Sequence, residues 1–409
     1  MLQISQRGQQ MPASPIRKLV PFAEAAKKKG VHVYHLNIGQ PDVETPPALL
    51  DAVRHADIKV LEYSHSAGNE SYRRKLVQYY KSVGIEVSTD EIIVTTGGSE
   101  AILFAFFSCL NPGDEVIVPE PFYANYNGFA VAAGVTVVPV TAHIEDGFAL
   151  PPIASFEEKI TERTKGIVIC NPNNPTGYLY SATEFEALKN ICLKHNLYLF
   201  SDEAYREFCY DGAYTSALHL KGLEQHVILM DTVSKRYSAC GARLGAFVTK
   251  NKAVLAAAMK FAQARLSPPG LAQIMGEAAV DLPADYFDAP KKEYQARRDL
   301  LVRRLNAMPD VFCPNPGGAF YAMARLPIDD ADAFCQWLLE SFSHKGSTVM
   351  LAPATGFYST PGLGKNEVRL AYVLNRTDLD AAMDCLEAAL QAYPQRTNVG
   401  NAQKKVVPV

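Results

Sequence analysis

Apolar residues in this chain fall into short unbroken runs set between longer amphipathic stretches. Ile92-Ile93-Val94, Val116-Ile117-Val118, Val135 to Val140, Gly166 to Cys170, Leu197 to Phe200, Val227 to Met230 and Leu244 to Val248 lack the strict polar alternation of a half-solvated strand. Each reads as a strand buried on both faces. Between them, Ser99 to Leu110, Phe122 to Ala133 and Ala182 to His195 carry helical patterns. The first is closed by Asn111-Pro112-Gly113-Asp114 and the second by Gly134. Alternation of buried strand and helix predicts an α/β fold with a large, mostly parallel seven-stranded sheet between helices.

The pattern changes towards both ends. Ile16 to Gly30 is an amphipathic helix with Lys27-Lys28-Lys29 in its last turn and a glycine stop. Val31 to Ile38 is strand-like and runs into the turn Gly39-Gln40-Pro41-Asp42. Asn251 to Ala307 is mainly helical, broken at Ser267-Pro268-Pro269-Gly270. Strands at Ala319 to Ala324, Ser347 to Leu351 and Glu367 to Tyr372 then mix with helices at Asp332 to His344 and Asp378 to Tyr393. This predicts a smaller α+β domain formed by both chain ends. The expected layout is an arm (1–15), a small domain (16–46 and 288–394), a large domain (47–287) and a polar, disordered tail (395–409).

Composition narrows the function. Hydrophobic residues make up 48% of 409, ample for a large core. The net charge is −3, which argues against a nucleic-acid or anionic-membrane partner. No run reaches the roughly 18 apolar residues of a membrane helix. The eight cysteines are scattered without metal-ligand spacing, so no metal site is expected and a reducing, cytoplasmic setting is.

Chemistry concentrates just after the strands, where open parallel sheets bind ligands. Past Val227 to Met230 comes Asp231-Thr232-Val233-Ser234-Lys235, with Arg243 eight residues beyond the lysine. An amine in a partly dry pocket loses its proton readily and can form a Schiff base with a carbonyl. Arg243 offers a planar fork suited to phosphate, and Thr232 and Ser234 offer hydroxyls. A carbonyl together with a phosphate points to pyridoxal 5′-phosphate (PLP). A solvated Lys-Arg pair at a strand end is the plainer alternative. After Ile92-Ile93-Val94, Thr95-Thr96-Gly97-Gly98-Ser99-Glu100 opens a helix with free backbone N–H groups, another phosphate cradle. Tyr123 follows Val116-Ile117-Val118 and could stack on a planar ring. Asn171-Pro172-Asn173-Asn174-Pro175-Thr176-Gly177 is a rigid loop with Asn174 as a donor. Asp202, after Tyr198-Leu199-Phe200, is a carboxylate at a buried strand end and needs a cationic partner such as a pyridinium nitrogen.

Taken in order, these motifs resemble the fold-type I PLP-dependent aminotransferases, class I/II, of the aspartate aminotransferase superfamily. The resemblance runs from Asn37-Ile38-Gly39-Gln40-Pro41-Asp42 to Arg369. It implies Lys235 as the Schiff-base lysine and proton carrier, Asp202 as the partner of the ring nitrogen, and Asn174 and Tyr205 as donors to the ring phenolic oxygen. It implies Tyr123 on the ring face, Gly98, Ser99, Glu100, Ser234 and Arg243 around the phosphate, and Tyr63 reaching the phosphate of a neighbouring subunit in a homodimer with shared active sites. Gly39 and Arg369, with Asn174, would hold the substrate α-carboxylate. The implied reaction is ping-pong transfer of an α-amino group between an L-amino acid (aspartate, aromatic or similar) and a 2-oxo acid such as 2-oxoglutarate. A PLP-dependent lyase or decarboxylase on the same fold is the alternative. Cys240-Gly241-Ala242-Arg243 departs from the commoner Thr-Gly-Trp-Arg and leaves the substrate side chain open. Arg265, ahead of Ser267-Pro268-Pro269, is a candidate fork for a distal carboxylate; a helix-terminal arginine serving the macrodipole is the competing reading.

Overall fold

The computed structural model describes residues 2–397. A short strand β1 (His32–His35) precedes the large sheet. That sheet comprises β2 (Ile92–Thr95), β3 (Glu115–Glu120), β4 (Thr136–Thr141), β5 (Thr164–Cys170), β6 (Tyr198–Asp202), β7 (Val227–Thr232) and β8 (Gly245–Val248). Its order is β2-β8-β7-β6-β5-β3-β4. Only β8 runs antiparallel to its neighbours, β2 and β7. The expected seven-stranded, mostly parallel sheet is therefore present.

The unbroken apolar runs follow from burial on both faces. Along β5, Ile167 and Ile169 join Phe156, Phe185 and Leu188 on one side of the sheet. Val168 between them joins Phe106, Phe122 and Phe200 on the other. The covering helices begin where side chains can satisfy their first N–H groups. Ser181 and Glu184 form a capping box ahead of helix Ala182–His195, and Asn251 caps Lys252–Arg265.

A second core joins Leu19, Ala23 and Leu36 to Leu301, Phe334, Leu338, Leu379 and Leu386. It is organised around β9 (Tyr321–Arg325), β10 (Ser347–Met350), β11 (Ala352–Pro353) and β12 (Glu367–Ala371). β11, β12 and β9 form an antiparallel sheet. β1 pairs in parallel with β10.

Several elements differ from expectation. The helix expected from Phe122 begins at Asn125, because the Phe122 N–H is taken by the Phe357 carbonyl at 2.9 Å. Helices Pro47–Arg54 and Glu70–Ser82 lie where no element was assigned. The arm contains a one-turn helix, Gln6–Gln10, capped by Ser5. The tail expected to be disordered from Gln395 is tied at its start: Arg396 bridges Ile328, and the Thr397 N–H reaches the Pro327 carbonyl at 3.0 Å. The rest of that tail, 398–409, lies outside the described residues. Among the described residues no helix is long and apolar enough to cross a membrane.

Candidate active site

The register Ile169–Ser201–Leu229 and Cys170–Asp202–Met230 brings the carboxyl ends of β5, β6 and β7 level. A cavity of about 390 Å³ opens above them. Lys235, Asp202, Asn174, Tyr205, Tyr123, Gly98, Ser99, Ser234, Arg243, Gly39 and Arg369 all line it. A larger recess of about 710 Å³ behind Tyr79, Tyr237 and Lys291 contains none of these groups.

Asp202 closes β6 at the cavity floor. Its Oδ2 accepts from the Tyr126 hydroxyl at 2.9 Å and its Oδ1 from the Ala204 N–H at 3.2 Å. Burial outweighs these bonds and raises its carboxyl to about 6. Tyr126 was not singled out from sequence, because a tyrosine in an apolar helix reads as core. Its position three residues after Tyr123 was the available signal.

Lys235 follows β7, and its Nζ donates to the Gly39 carbonyl at 2.6 Å. Cys240 Sγ lies 3.9 Å from the same Nζ. Gly39 is required by close approach, since a Cβ there would sit 1.6 Å from the Tyr321 hydroxyl oxygen. Beneath the lysine, the Asp231 carboxylate is held by Arg236 at 2.7 Å, Tyr80 at 2.9 Å and Arg206 at 3.3 Å, all buried. Burial alone would raise this carboxyl, but the two guanidinium groups hold it down at about 2.

Opposite the lysine, Gly98 and Ser99 open helix Gly97–Cys109, whose first N–H groups have no acceptor within the helix. Gly97 has φ +72°, and a Cβ on it would lie 2.5 Å from Arg243 Nη2. Arg243 is exposed, donates to the Cys240 carbonyl at 3.2 Å and has no carboxylate partner among the described residues. The Ser234 and Thr232 hydroxyls are 2.7 Å apart.

Arg369, on β12, is buried between the Tyr321 and Phe357 rings, at 4.6 and 4.8 Å. Its Nη1 donates to Asn174 Oδ1 at 3.0 Å and its Nη2 to the Asn37 carbonyl at 2.6 Å, while its Nε has no partner among the described residues. Asn174 Nδ2 reaches the Tyr205 hydroxyl at 3.4 Å, and that hydroxyl is 2.9 Å from Tyr321 Oη. Burial pushes the Tyr205 hydroxyl well above its usual range and Tyr123 up to about 12. Tyr321 carried no signal in the sequence, since it reads as a core strand residue, and Asn37, although it opens the Asn37-Ile38-Gly39-Gln40-Pro41-Asp42 turn, was given no role of its own.

Three expected site residues are not brought to this cavity. Glu100 was expected at the phosphate, but its Oε2 accepts from Arg265 at 2.9 Å and from the Thr96 N–H at 2.7 Å. Arg265 was expected as a substrate fork, but its guanidinium also donates to the carbonyls of Ser66 at 3.0 Å and Val94 at 3.3 Å. Glu100 and Arg265 thus neutralise each other and clasp the end of helix Lys252–Arg265 to the sheet edge. Tyr63, expected at a neighbouring subunit's phosphate rather than this one's, does not line this chain's cavity and is 78% exposed, beside exposed Val60 and Leu61.

A buried carboxylate, a lysine and an open helix N-terminus surround one cavity at the ends of parallel strands, and family comparison names the class. Residues 31–386 match the family model for aminotransferase class I and II, so the chain belongs to that family and is a transaminase. PLP is the cofactor of this family. An aspartate aminotransferase of Pyrococcus horikoshii is 32% identical over 394 residues, covering 95% of this chain and 97% of the relative. The aspartate aminotransferase of Thermus thermophilus solved with maleate has a TM-score of 0.86 at 30% identity, covering 95% and 100% of the two chains. An alanine aminotransferase of Pyrococcus furiosus has a TM-score of 0.87 at 31% identity over the same shares. These names favour transamination over lyase or decarboxylase chemistry.

Proposed function

We propose that this chain binds PLP through Lys235 and moves the α-amino group of an L-amino acid to a 2-oxo acid such as 2-oxoglutarate. The observation that carries the reading is the Asp202 carboxyl at the floor of the cavity, raised by burial and in no ion pair among the described residues. A cationic ring nitrogen would supply that partner. Asn174 and Tyr205 supply donors at one side of the cavity. Gly98, Ser99, Ser234 and the unpaired Arg243 supply a cradle for a phosphate dianion at the other.

When bound, PLP acts as an electron sink for the substrate carbanion. The chain's own part is positional. Arg369 carries a free Nε and a fixed planar fork for a carboxylate, and Asn174 steadies it. From a tethered position, Lys235 would take the proton from the α-carbon of the amino donor and, in the second half-reaction, deliver one to the α-carbon of the oxo-acid acceptor. Tyr123 offers a ring face beside the cavity. The eight unpaired cysteines support a reducing, cytoplasmic setting.

Borohydride reduction of the purified protein should fix one PLP-derived adduct on Lys235, seen by peptide mass spectrometry. Lys235→Ala should lose both the adduct and transaminase turnover. An adduct on a different lysine would overturn the assignment.

We also propose a two-fold homodimer in which Tyr63 completes the partner's phosphate cradle. Its exposure beside Val60 and Leu61 leaves an apolar loop that a second copy would cover. Light scattering should give twice the chain mass at assay concentration. An active monomer would sink the shared-site reading.

A further inference from the structure

The cavity has more positive charge than a PLP-linked α-amino acid would use. Arg17, Lys235, Arg243 and Arg369 line it, and among the described residues Asp202 is its only carboxylate. On the reading above, Lys235 is taken up by the cofactor carbonyl, Arg243 faces the phosphate and Arg369 the α-carboxylate. One cation, Arg17, is left over. Its guanidinium has no hydrogen-bond or ion-pair partner among the described residues, although its neighbour Lys18 is paired with Asp332.

Arg17 opens a three-residue 3₁₀ turn, Arg17–Leu19, leading into helix Val20–Lys28. The turn is anchored rather than loose. The Arg17 N–H reaches Ser14 Oγ at 3.3 Å, Leu19 is buried, and Pro15 packs so closely on Gly356 that a Cβ there would lie 2.2 Å from Pro15 Cβ. The nearby walls are apolar: Ile16, Val20, Ile38 and Ile102. Arg265, the candidate for this task in the sequence beside its helix-terminal reading, is committed to Glu100. A guanidinium on a fixed turn at the mouth, among apolar walls, suits a second carboxylate carried on the substrate side chain.

We infer that Arg17 is the specificity-determining residue of this transaminase and selects substrates with a distal carboxylate. The inference rests on the PLP reading of the same cavity, and the test separates the two. Holoenzyme of the wild type, Arg17→Gln and Arg17→Lys is assayed with glutamate, aspartate and alanine, and titrated calorimetrically with glutarate and with butyrate. Arg17→Gln should lower the ratio of kcat/KM for the better dicarboxylic amino acid to that for alanine by roughly 10- to 100-fold, the scale of a lost charged hydrogen-bond pair. Glutarate binding should weaken by a similar factor and butyrate binding far less. Arg17→Lys should recover part of both.

An unchanged ratio, or a wild type that binds glutarate no better than butyrate, overturns the inference. So does an equal loss on all substrates together with dissociation of the dimer, which would assign Arg17 to the subunit interface. If the Lys235 adduct forms normally in Arg17→Gln, any such failure falls on Arg17 alone. If the adduct is missing from the wild type, the cofactor reading fails instead.

Discussion

Asp202→Asn is expected to lower transamination by roughly a thousandfold while making the cofactor-free protein more stable above pH 6. The activity loss follows from removing the negative charge proposed to face the ring nitrogen, and is on the scale of losing a preorganised charge partner at a reacting centre. The stability gain follows from linkage. The folded Asp202 carboxyl titrates near 6, raised by burial, whereas an unfolded aspartate titrates near 4. Between those values the folded chain keeps a proton that the unfolded chain has lost, so stability falls as pH rises through the window. Above it, the full cost of a buried, unmatched carboxylate is present, about 3 kcal/mol. Asparagine keeps the shape and carries no such cost. Thermal melts of the two cofactor-free proteins should separate at pH 8 and converge by about pH 4. Equal melting temperatures at both pH values would show that Asp202 is not strained in the empty site.

Asp231→Asn is expected to be the most destabilising conservative change near the site. The carboxylate neutralises Arg206 and Arg236, which are both buried, and Arg206 also pairs with buried Glu203. Removing one member of such a network strands charge in a low-dielectric interior, at a cost of about 3–5 kcal/mol. The pH dependence has the opposite sign to that of Asp202. Asp231 is held at about 2 in the folded protein, so its contribution is complete above the unfolded value near 4 and is lost as pH falls towards 2. The urea midpoint of the variant should therefore drop sharply at pH 7, and the gap from wild type should narrow on acidification. A midpoint unmoved at pH 7 would mean that water or a rearranged neighbour compensates the two arginines.

These two aspartates illustrate what the sequence could and could not convey. Asp202 was legible because a carboxylate two residues past Leu199-Phe200, at the end of a buried strand, has no local partner. Asp231 sits in an equivalent place after Leu229-Met230, yet its role depends on Arg206 and Tyr80, which arrive from elsewhere in the chain. The strands of the large sheet were readable because both faces of β5 to β7 are buried, which leaves continuous apolar runs. The reversed direction of β8 was not, since its sequence fits either orientation. Helix Ala182–His195 was placed with its observed ends because Ser181 and Glu184 mark its start locally. Helix Glu70–Ser82 was missed because it buries Tyr72, Tyr79 and Tyr80 alongside a single leucine, Leu76, in an otherwise polar stretch. Glu100 and Arg265 were each read as ligand-facing because their mutual pairing spans two distant segments and leaves no trace in either.

The pairing of β1 with β10 sets a timetable for biosynthesis. His32–His35 finds its parallel partner only in Ser347–Met350, roughly 315 residues later. At the usual pace of about 5–20 residues per second, the first strand emerges from the ribosome about 15–60 s before the segment it must join. The large sheet, β2 to β8, is complete well before that moment. Asn37, whose carbonyl steadies Arg369, must wait still longer, until β12 has been made. The residues of the cavity floor are thus all made before the pair that closes its mouth is complete, and that pair can meet only once β12 has left the ribosome.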